Sequence, residues 1–321
     1  MTVSTGRSEY DIDTLVLLSE MYYIQGRTQK DISDQLGLSR PAVSRLLQAA
    51  RDEGIVNITI VDPSKRLKDM EGWLVEAFGL VGCRLSPAGR PDMLKARMGS
   101  RAADMLMGLL RPGDVVGFGA GSTVYEAVMA LPCTREYPGL RVVPLSGGGL
   151  GIDGAPQINQ VVHTASERLN GEPVYLNAPL YVGEPRVARL LMEDGSITQC
   201  TRLWDQLGCA VIGLGQGNLT DTRDPYFAAA LADVDGQNVA AAVCGWFLDM
   251  QGKRLIGGCP TSVSSEQLSR ARHVMVVAGG KQKAKAILAA MRSGFVTHLV
   301  ADEDAAREVL FMHDALNGQG K

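Results

Sequence analysis

The stretch Gly26-Arg27-Thr28-Gln29-Lys30-Asp31-Ile32-Ser33-Asp34-Gln35-Leu36-Gly37-Leu38-Ser39-Arg40-Pro41-Ala42-Val43-Ser44-Arg45-Leu46-Leu47 holds two short amphipathic patterns separated by one glycine. Thr28 is placed to cap a helix through Leu36, because its hydroxyl can take a free backbone N–H of the first turn. Gly37 ends that helix and permits positive φ in a tight turn through Leu38 and Ser39. Ser39 then caps a further helix, Pro41 is tolerated in its first turn, and Val43, Leu46, Leu47 and Ala50 mark its inner face. Ser33 is small enough for two helices to cross closely, and Ile32, Leu36, Leu38, Val43 and Leu46 lock the pair together. Left outside are Arg40, Pro41, Ser44, Arg45 and Gln48, which reach base edges and phosphates when such a helix enters a major groove. Thr28, Gln29 and Ser39 complete the candidate contacts to double-stranded DNA. A helical hairpin that only packs is the bland alternative.

Charge helps separate the two readings. From Gly26 to Arg51, five basic side chains (Arg27, Lys30, Arg40, Arg45, Arg51) face two acidic ones (Asp31, Asp34), a local +3. Over residues 1–63 six basic side chains face nine acidic ones, a net −3. A single copy should therefore bind DNA weakly, and affinity should require paired copies on a repeated site. Upstream, Ile12, Leu15, Val16, Leu18, Met21, Tyr22 and Ile24 predict a first helix over 11–25. Downstream, Gly54 closes the third helix, and Ile55-Val56-Asn57-Ile58-Thr59-Ile60-Val61 alternates as a strand should until Asp62-Pro63 stops it. These elements define a helix-turn-helix domain of residues 1–63.

Beyond it, Leu67, Met70, Leu74 and Phe78 predict a connecting helix over 65–79. Short apolar runs then alternate with helical patterns, at 115–118, 141–145, 210–213, 274–277 and 298–300. That alternation predicts an α/β fold, with residues 64–321 forming a Rossmann-like, mostly parallel-sheet domain. Gly117-Phe118-Gly119-Ala120-Gly121-Ser122-Thr123 follows one of these runs and opens a helical pattern (Val124, Ala127, Val128, Leu131). Such a loop points backbone N–H groups and two hydroxyls at a phosphate or other oxyanion, although a glycine-rich turn can also serve packing alone. No acidic residue ends a second strand about twenty residues on, so the loop is not a dinucleotide fingerprint. Ala278-Gly279-Gly280-Lys281-Gln282-Lys283 occupies a similar junction, where Lys283 could close over the anion; a solvated surface lysine is the competing reading. Gly147-Gly148-Gly149 forms a further strand-end loop, at the edge where open parallel sheets bind ligands.

The composition, 45% hydrophobic and 21% charged with a net charge of −3, is that of a soluble globular protein and excludes a disordered chain. The six cysteines, at 83, 133, 200, 209, 244 and 259, show no metal-ligand spacing and read as buried thiols of a reducing cytosol. No cofactor or metal is expected. The apolar run Val239–Leu248 is far short of the ~20 residues a membrane span requires, and with no signal segment the expected location is cytoplasmic, away from any membrane.

Three segments, Gly26–Ile32, Leu38–Leu47 and Ala50-Arg51-Asp52-Glu53-Gly54-Ile55-Val56, resemble the DNA-binding signature of the SorC family of bacterial sugar-responsive regulators. Leu145-Ser146-Gly147-Gly148, Asn177-Ala178-Pro179, Gly213-Leu214-Gly215, Phe247-Leu248-Asp249 and Ala278-Gly279-Gly280 are similar in order to its effector domain. The resemblance implies a transcription regulator of a carbohydrate or polyol catabolic operon. It further implies a homotetramer, a sugar or sugar-phosphate effector, and a domain related to isomerases such as glucosamine-6-phosphate deaminase. It carries phosphate contacts onto Gly121, Ser122, Thr123 and Lys283, and sugar-hydroxyl contacts onto Gln157 and Asn159; Gly119, Gly147 and Gly148 complete the candidate effector site. Ala242 stands where the family often has an acidic residue. The alternative is a sugar-phosphate isomerase or deaminase-like enzyme, which needs a base; Asp153 and His163 are the candidates there. No lysine lies between Lys95 and Lys253, which argues against a Schiff base, and a DNA reader is superfluous for an enzyme.

Overall fold

The computed structural model describes residues 11–58, 63–133, 137–149, 156–216, 234, 238–255 and 261–318. The chain divides into two compact units, Met1–Asp62 and Pro63–Lys321.

In the first unit, helix α1 (Ile12–Ser19) runs into a π-helical turn (Glu20–Ile24), followed by α2 (Gln29–Leu36) and α3 (Arg40–Asp52). Leu15, Leu18, Met21, Ile32, Val43, Leu46, Leu47 and Ala50 form its buried core. Ile12, Val16 and Ile24, part of the pattern that predicts the first helix, are exposed instead. The strand expected over 55–61 is not formed at residues 55–58, and the remainder of that stretch lies outside the described residues. The reason is local: the Val56 N–H donates to the Ala50 carbonyl at 3.0 Å, and Ile55 and Val56 pack half-buried on the helical core. They close α3 rather than pair with another strand.

The second unit opens with α4 (Pro63–Phe78), which buries Leu67, Met70 and Leu74 within its own domain. Seven strands form one all-parallel sheet: β1 (Gly82–Ser86), β2 (Val115–Phe118), β3 (Arg141–Pro144), β4 (Glu172–Pro173), β5 (Leu207–Ile212), β10 (His273–Val277) and β11 (His298–Asp302). Their spatial order is β1-β11-β10-β5-β2-β3-β4. Both faces are covered, so successive residues serve different cores; Ala210 and Ile212 enter one, Cys209 and Val211 the other. Helices α5 (Pro91–Leu109), α6 (Ser122–Met129) and α7 (Ile158–Leu169) pack on the second of these. Helices α8 (Pro185–Glu193), α9 (Gly195–Thr201) and α10 (Ser265–Arg270) precede α11 (Ala284–Arg292) and α12 (Glu303–Gly318), which pack on the first.

Three features depart from the expected pattern. Strands β1 and β4 join the sheet unforeseen, β4 because it is only two residues long. The apolar run 239–248 folds back on itself, as β7 (Ala241–Val243) and β8 (Trp246–Leu248), within a second, antiparallel sheet completed by β6 (Gly215–Gln216) and β9 (Arg254–Leu255). Cys83, Cys200 and Cys209 are buried and Cys244 is half-buried, whereas Cys133 is exposed on the surface. Cys259 lies outside the described residues.

Candidate functional site

The DNA-reading candidates fall on one face of α3. Pro41, Ser44, Arg45 and Gln48 are exposed, with Arg40 and Ser39 at the same end, while Val43, Leu46, Leu47 and Ala50 point to the core from the opposite side. Glycine is required at position 37, where φ is 65° and the α2 C-cap is left-handed; this redirects the chain into α3. Thr28 and Asp31 form a reciprocal capping box, and the two Thr28 hydrogen bonds hold the Asp31 carboxyl below its ordinary pKa. The Thr28 hydroxyl is therefore committed to helix geometry, and Ser39 Oγ likewise accepts the Ala42 N–H. Gln29 is half-buried, and Gln48 Nε2 donates to Asp52 at 2.8 Å. Arg40, Ser44 and Arg45 are the exposed groups most readily turned to a duplex.

The effector candidates gather at the carboxyl edge of the parallel sheet. Strand order reverses between β2 and β5, whose connections leave to opposite sides and open a crevice beyond their ends. The Gly119 N–H is used across that seam, donating to the Val211 carbonyl at 2.8 Å. Gly119 is thus part of the floor. Gly121, at φ 134°, turns the chain into α6, so half-buried Ser122 and Thr123 stand in a first helical turn whose amides have no partner within the helix. Across the crevice, Gly280, at φ 90°, ends the β10 connection, and Lys283 Nζ reaches the Leu214 carbonyl just past β5, at 2.7 Å. Burial, and then the charge of Lys95, lower the Lys283 pKa from its ordinary value. The solvated reading of Lys283 does not hold, since its ammonium is folded inward; Lys281 instead pairs with Glu308 at 3.3 Å on the surface.

The remaining candidates play different parts. The Gly147 and Gly148 amides donate to the carbonyls of Thr261 and Ala178, so they fix a loop rather than offer free donors. A Cβ on Gly147 would meet the Ala178 and Pro179 carbonyl oxygens at 2.6 Å, which explains the glycine. Gln157 is exposed, with Oε1 3.6 Å from the position a Gly148 Cβ would take. Asn159 is tied to the Leu176 backbone by two 3.2 Å hydrogen bonds and to Asn177 by another, holding the segment after β4. Ala242 pairs with Gly215 and packs with Tyr181, Val239 and Phe247, an apolar setting. His163 sits on the α7 surface between Tyr175 and Glu167, and Asp153 lies outside the described residues. Two further clefts, of about 220 and 430 Å³, contain none of the candidates. The Leu214 carbonyl that receives Lys283 could not be read from the sequence, because a backbone acceptor carries no residue signal.

A helix-turn-helix unit joined to a Rossmann-like ligand domain defines a ligand-responsive transcription regulator. Comparison agrees at both ends: a family model for a sugar-binding domain matches residues 62–311, and one for winged helix-turn-helix DNA-binding matches 24–57. The sorbitol operon regulator of Klebsiella pneumoniae is 28% identical over 314 residues, covering 94% of this chain and 98% of its own. The transcriptional regulator LsrR of Enterobacter sp. (strain 638) is 31% identical over 301 residues, 90% of each chain. The crystal structure of the full-length Klebsiella pneumoniae sorbitol operon regulator SorC superposes with a TM-score of 0.72 at 27% identity, covering 94% of this chain and 100% of that one. The chain belongs to the SorC family of sugar-binding transcription regulators. It is a DNA-binding regulator of a sugar operon and not an enzyme. Among the described residues, no helix is long and apolar enough to cross a membrane.

Proposed function

We propose that this protein controls a carbohydrate or polyol operon by seating a sugar phosphate in the crevice between β2 and β5. Arg40, Ser44 and Arg45 of paired α3 helices read the operator. One observation carries the effector reading: an inward-folded lysine ammonium, Lys283, at the carboxyl edge where α6 begins with two hydroxyl residues. Such a grouping of cation, hydroxyls and helix dipole favours an oxyanion over a neutral ligand. Gln157, exposed beside Gly148, is the candidate for sugar hydroxyls, whereas Asn159 supports the wall. The working assembly is a homotetramer, and ligand binding relieves repression by favouring an assembly in which the DNA readers no longer match their half-sites. The location is cytoplasmic.

The name of the similar sorbitol operon regulator makes sorbitol and sorbitol 6-phosphate natural first probes. A thermal-shift panel of free and phosphorylated hexoses and polyols tests the reading, because a ligand that prefers the folded state raises its melting point. Stabilisation by a phosphorylated member, lost in Lys283→Ala, is the expected result. Stabilisation by free sugars alone would overturn the anion crevice.

A further inference from the structure

We propose that Lys95 is a second cation of the effector crevice and makes it select doubly charged over singly charged oxyanions. The proposal rests on the crevice reading above and adds a residue from a different part of the chain. Helix α5 follows β1, so its first turn stands at the carboxyl edge of the parallel sheet, the edge that carries the crevice. Met98 of that helix packs on the Ala278-Gly279-Gly280 turn: a Cβ on Gly279 would lie 2.4 Å from Met98 Sδ. Exposed Lys95 precedes Met98 by three residues, on the same face and one turn nearer the edge. Its stem therefore rises beside the turn that leads to Lys283.

The mounting is rigid. A Cβ on Gly99 would lie 2.6 Å from the Glu126 carbonyl carbon, so α5 presses directly on α6, the helix whose first turn forms the crevice. Two like charges are thus held on one rim, which disfavours the empty site and favours an anion that satisfies both. The acidic group next to this rim, Asp302, fixes the turn through backbone hydrogen bonds. Asp302 accepts the N–H groups of Gly280 and Asp304, at 2.5 and 3.2 Å. Among the described residues Lys95 pairs with no carboxylate, and its charge acts on Lys283 in the same direction as burial, lowering its pKa.

The test uses the full-length chain at about pH 8 with two tetrahedral probes, inorganic phosphate, chiefly a dianion, and methyl sulfate, a monoanion. Calorimetric titration should show phosphate binding more tightly to the native protein. Lys95→Ala should weaken phosphate about tenfold and methyl sulfate about threefold or less, narrowing the ratio, while Lys95→Arg restores it. Because Lys95 is exposed and its removal relieves a like-charge repulsion, the melting temperature without anion should stay the same or rise slightly, never fall. Equal losses for both anions, or unchanged phosphate affinity, would overturn the role of Lys95 while a loss in Lys283→Ala left the crevice intact. Phosphate binding indifferent to Lys283→Ala would overturn the crevice, and Lys95 with it.

Discussion

Arg45 is exposed on α3, one position from Ser44, while its neighbour Leu46 is buried; the packing of the helix thus aims the guanidinium outward, and among the described residues no partner holds it back. A guanidinium that meets a guanine edge with two hydrogen bonds discriminates by about 1–3 kcal/mol. Arg45→Ala should therefore weaken binding to the native operator by roughly 10- to 100-fold and leave phosphate binding unchanged. A gel-shift titration against operator and scrambled duplex checks both the loss and its sequence dependence. Lys283 makes the opposite prediction. It is held at the Leu214 carbonyl, and only its protonated form attracts an oxyanion. Lys283→Ala should abolish the stabilisation by phosphorylated ligands while operator affinity remains. Its pKa is lowered, so ligand affinity in the native protein should decline as pH rises, beginning below the range where an ordinary lysine loses its proton. Melting shifts measured across an alkaline series read that onset directly.

At the scale of elements, the amino ends of β10 and β11 hold a histidine pair, His273 and His298, with ring centroids 5.1 Å apart. His298 is 3% exposed, and burial, followed by the neighbouring His273, lowers its pKa to about 4. The unfolded chain has the ordinary value near 6.5, so below that pH it binds the proton that the folded chain refuses. This contribution to stability is complete above about pH 6.5 and is lost progressively as pH falls toward 4. At about pH 5 the linkage predicts a loss of about 2 kcal/mol, with His273 shifted in the same direction. Denaturant midpoints at about pH 7.5 and 5 should differ accordingly, and His298→Gln should flatten the difference.

The same elements show which parts of the fold could be read from sequence. The capping signals Thr28 and Ser39, and the turn glycine at 37, each acts within a few residues, so the chemistry that forms the element is present in the segment itself. The five apolar runs found by periodicity are strands buried on both faces, where continuous hydrophobicity is the expected mark. What failed depends on how the folded chain packs rather than on the alternation of the segment itself. Residues 55–58 alternate like a strand, yet Ile55 and Val56 pack on helices while Ile58 is exposed, and β4 forms by lying beside β3, not by its own two residues. In the site, Lys283 was recognisable as a charge at a glycine turn. The hydrogen bonds of the Asn159 amide to the Leu176 backbone are invisible until the chain is folded.

For the whole molecule, charge sets the terms of DNA binding. The first unit is −3 over residues 1–63 but +3 across its reading segment, so the attraction to phosphates is local and the rest of the unit opposes it. One reader is therefore expected to be weak, and in the proposed assembly affinity comes from two readers bound at once, with the second contact made at high effective concentration. Two readers impose a spacing of about one helical turn, or a multiple of it, between half-sites. Inserting about 5 base pairs between them puts the second half-site on the opposite face of the duplex and should reduce affinity toward that of one site. In the proposed assembly DNA and ligand are coupled. If a sugar phosphate lowers operator affinity by some factor, the operator must lower sugar-phosphate affinity by that same factor, since both act on one equilibrium between assemblies. Ligand titrations with and without operator should return equal factors in the native protein, and a factor of one in the duplex carrying the 5-base-pair insertion. A ligand that weakened DNA binding while its own affinity ignored the operator would rule out this coupling and place its effect elsewhere than in the spacing of the readers.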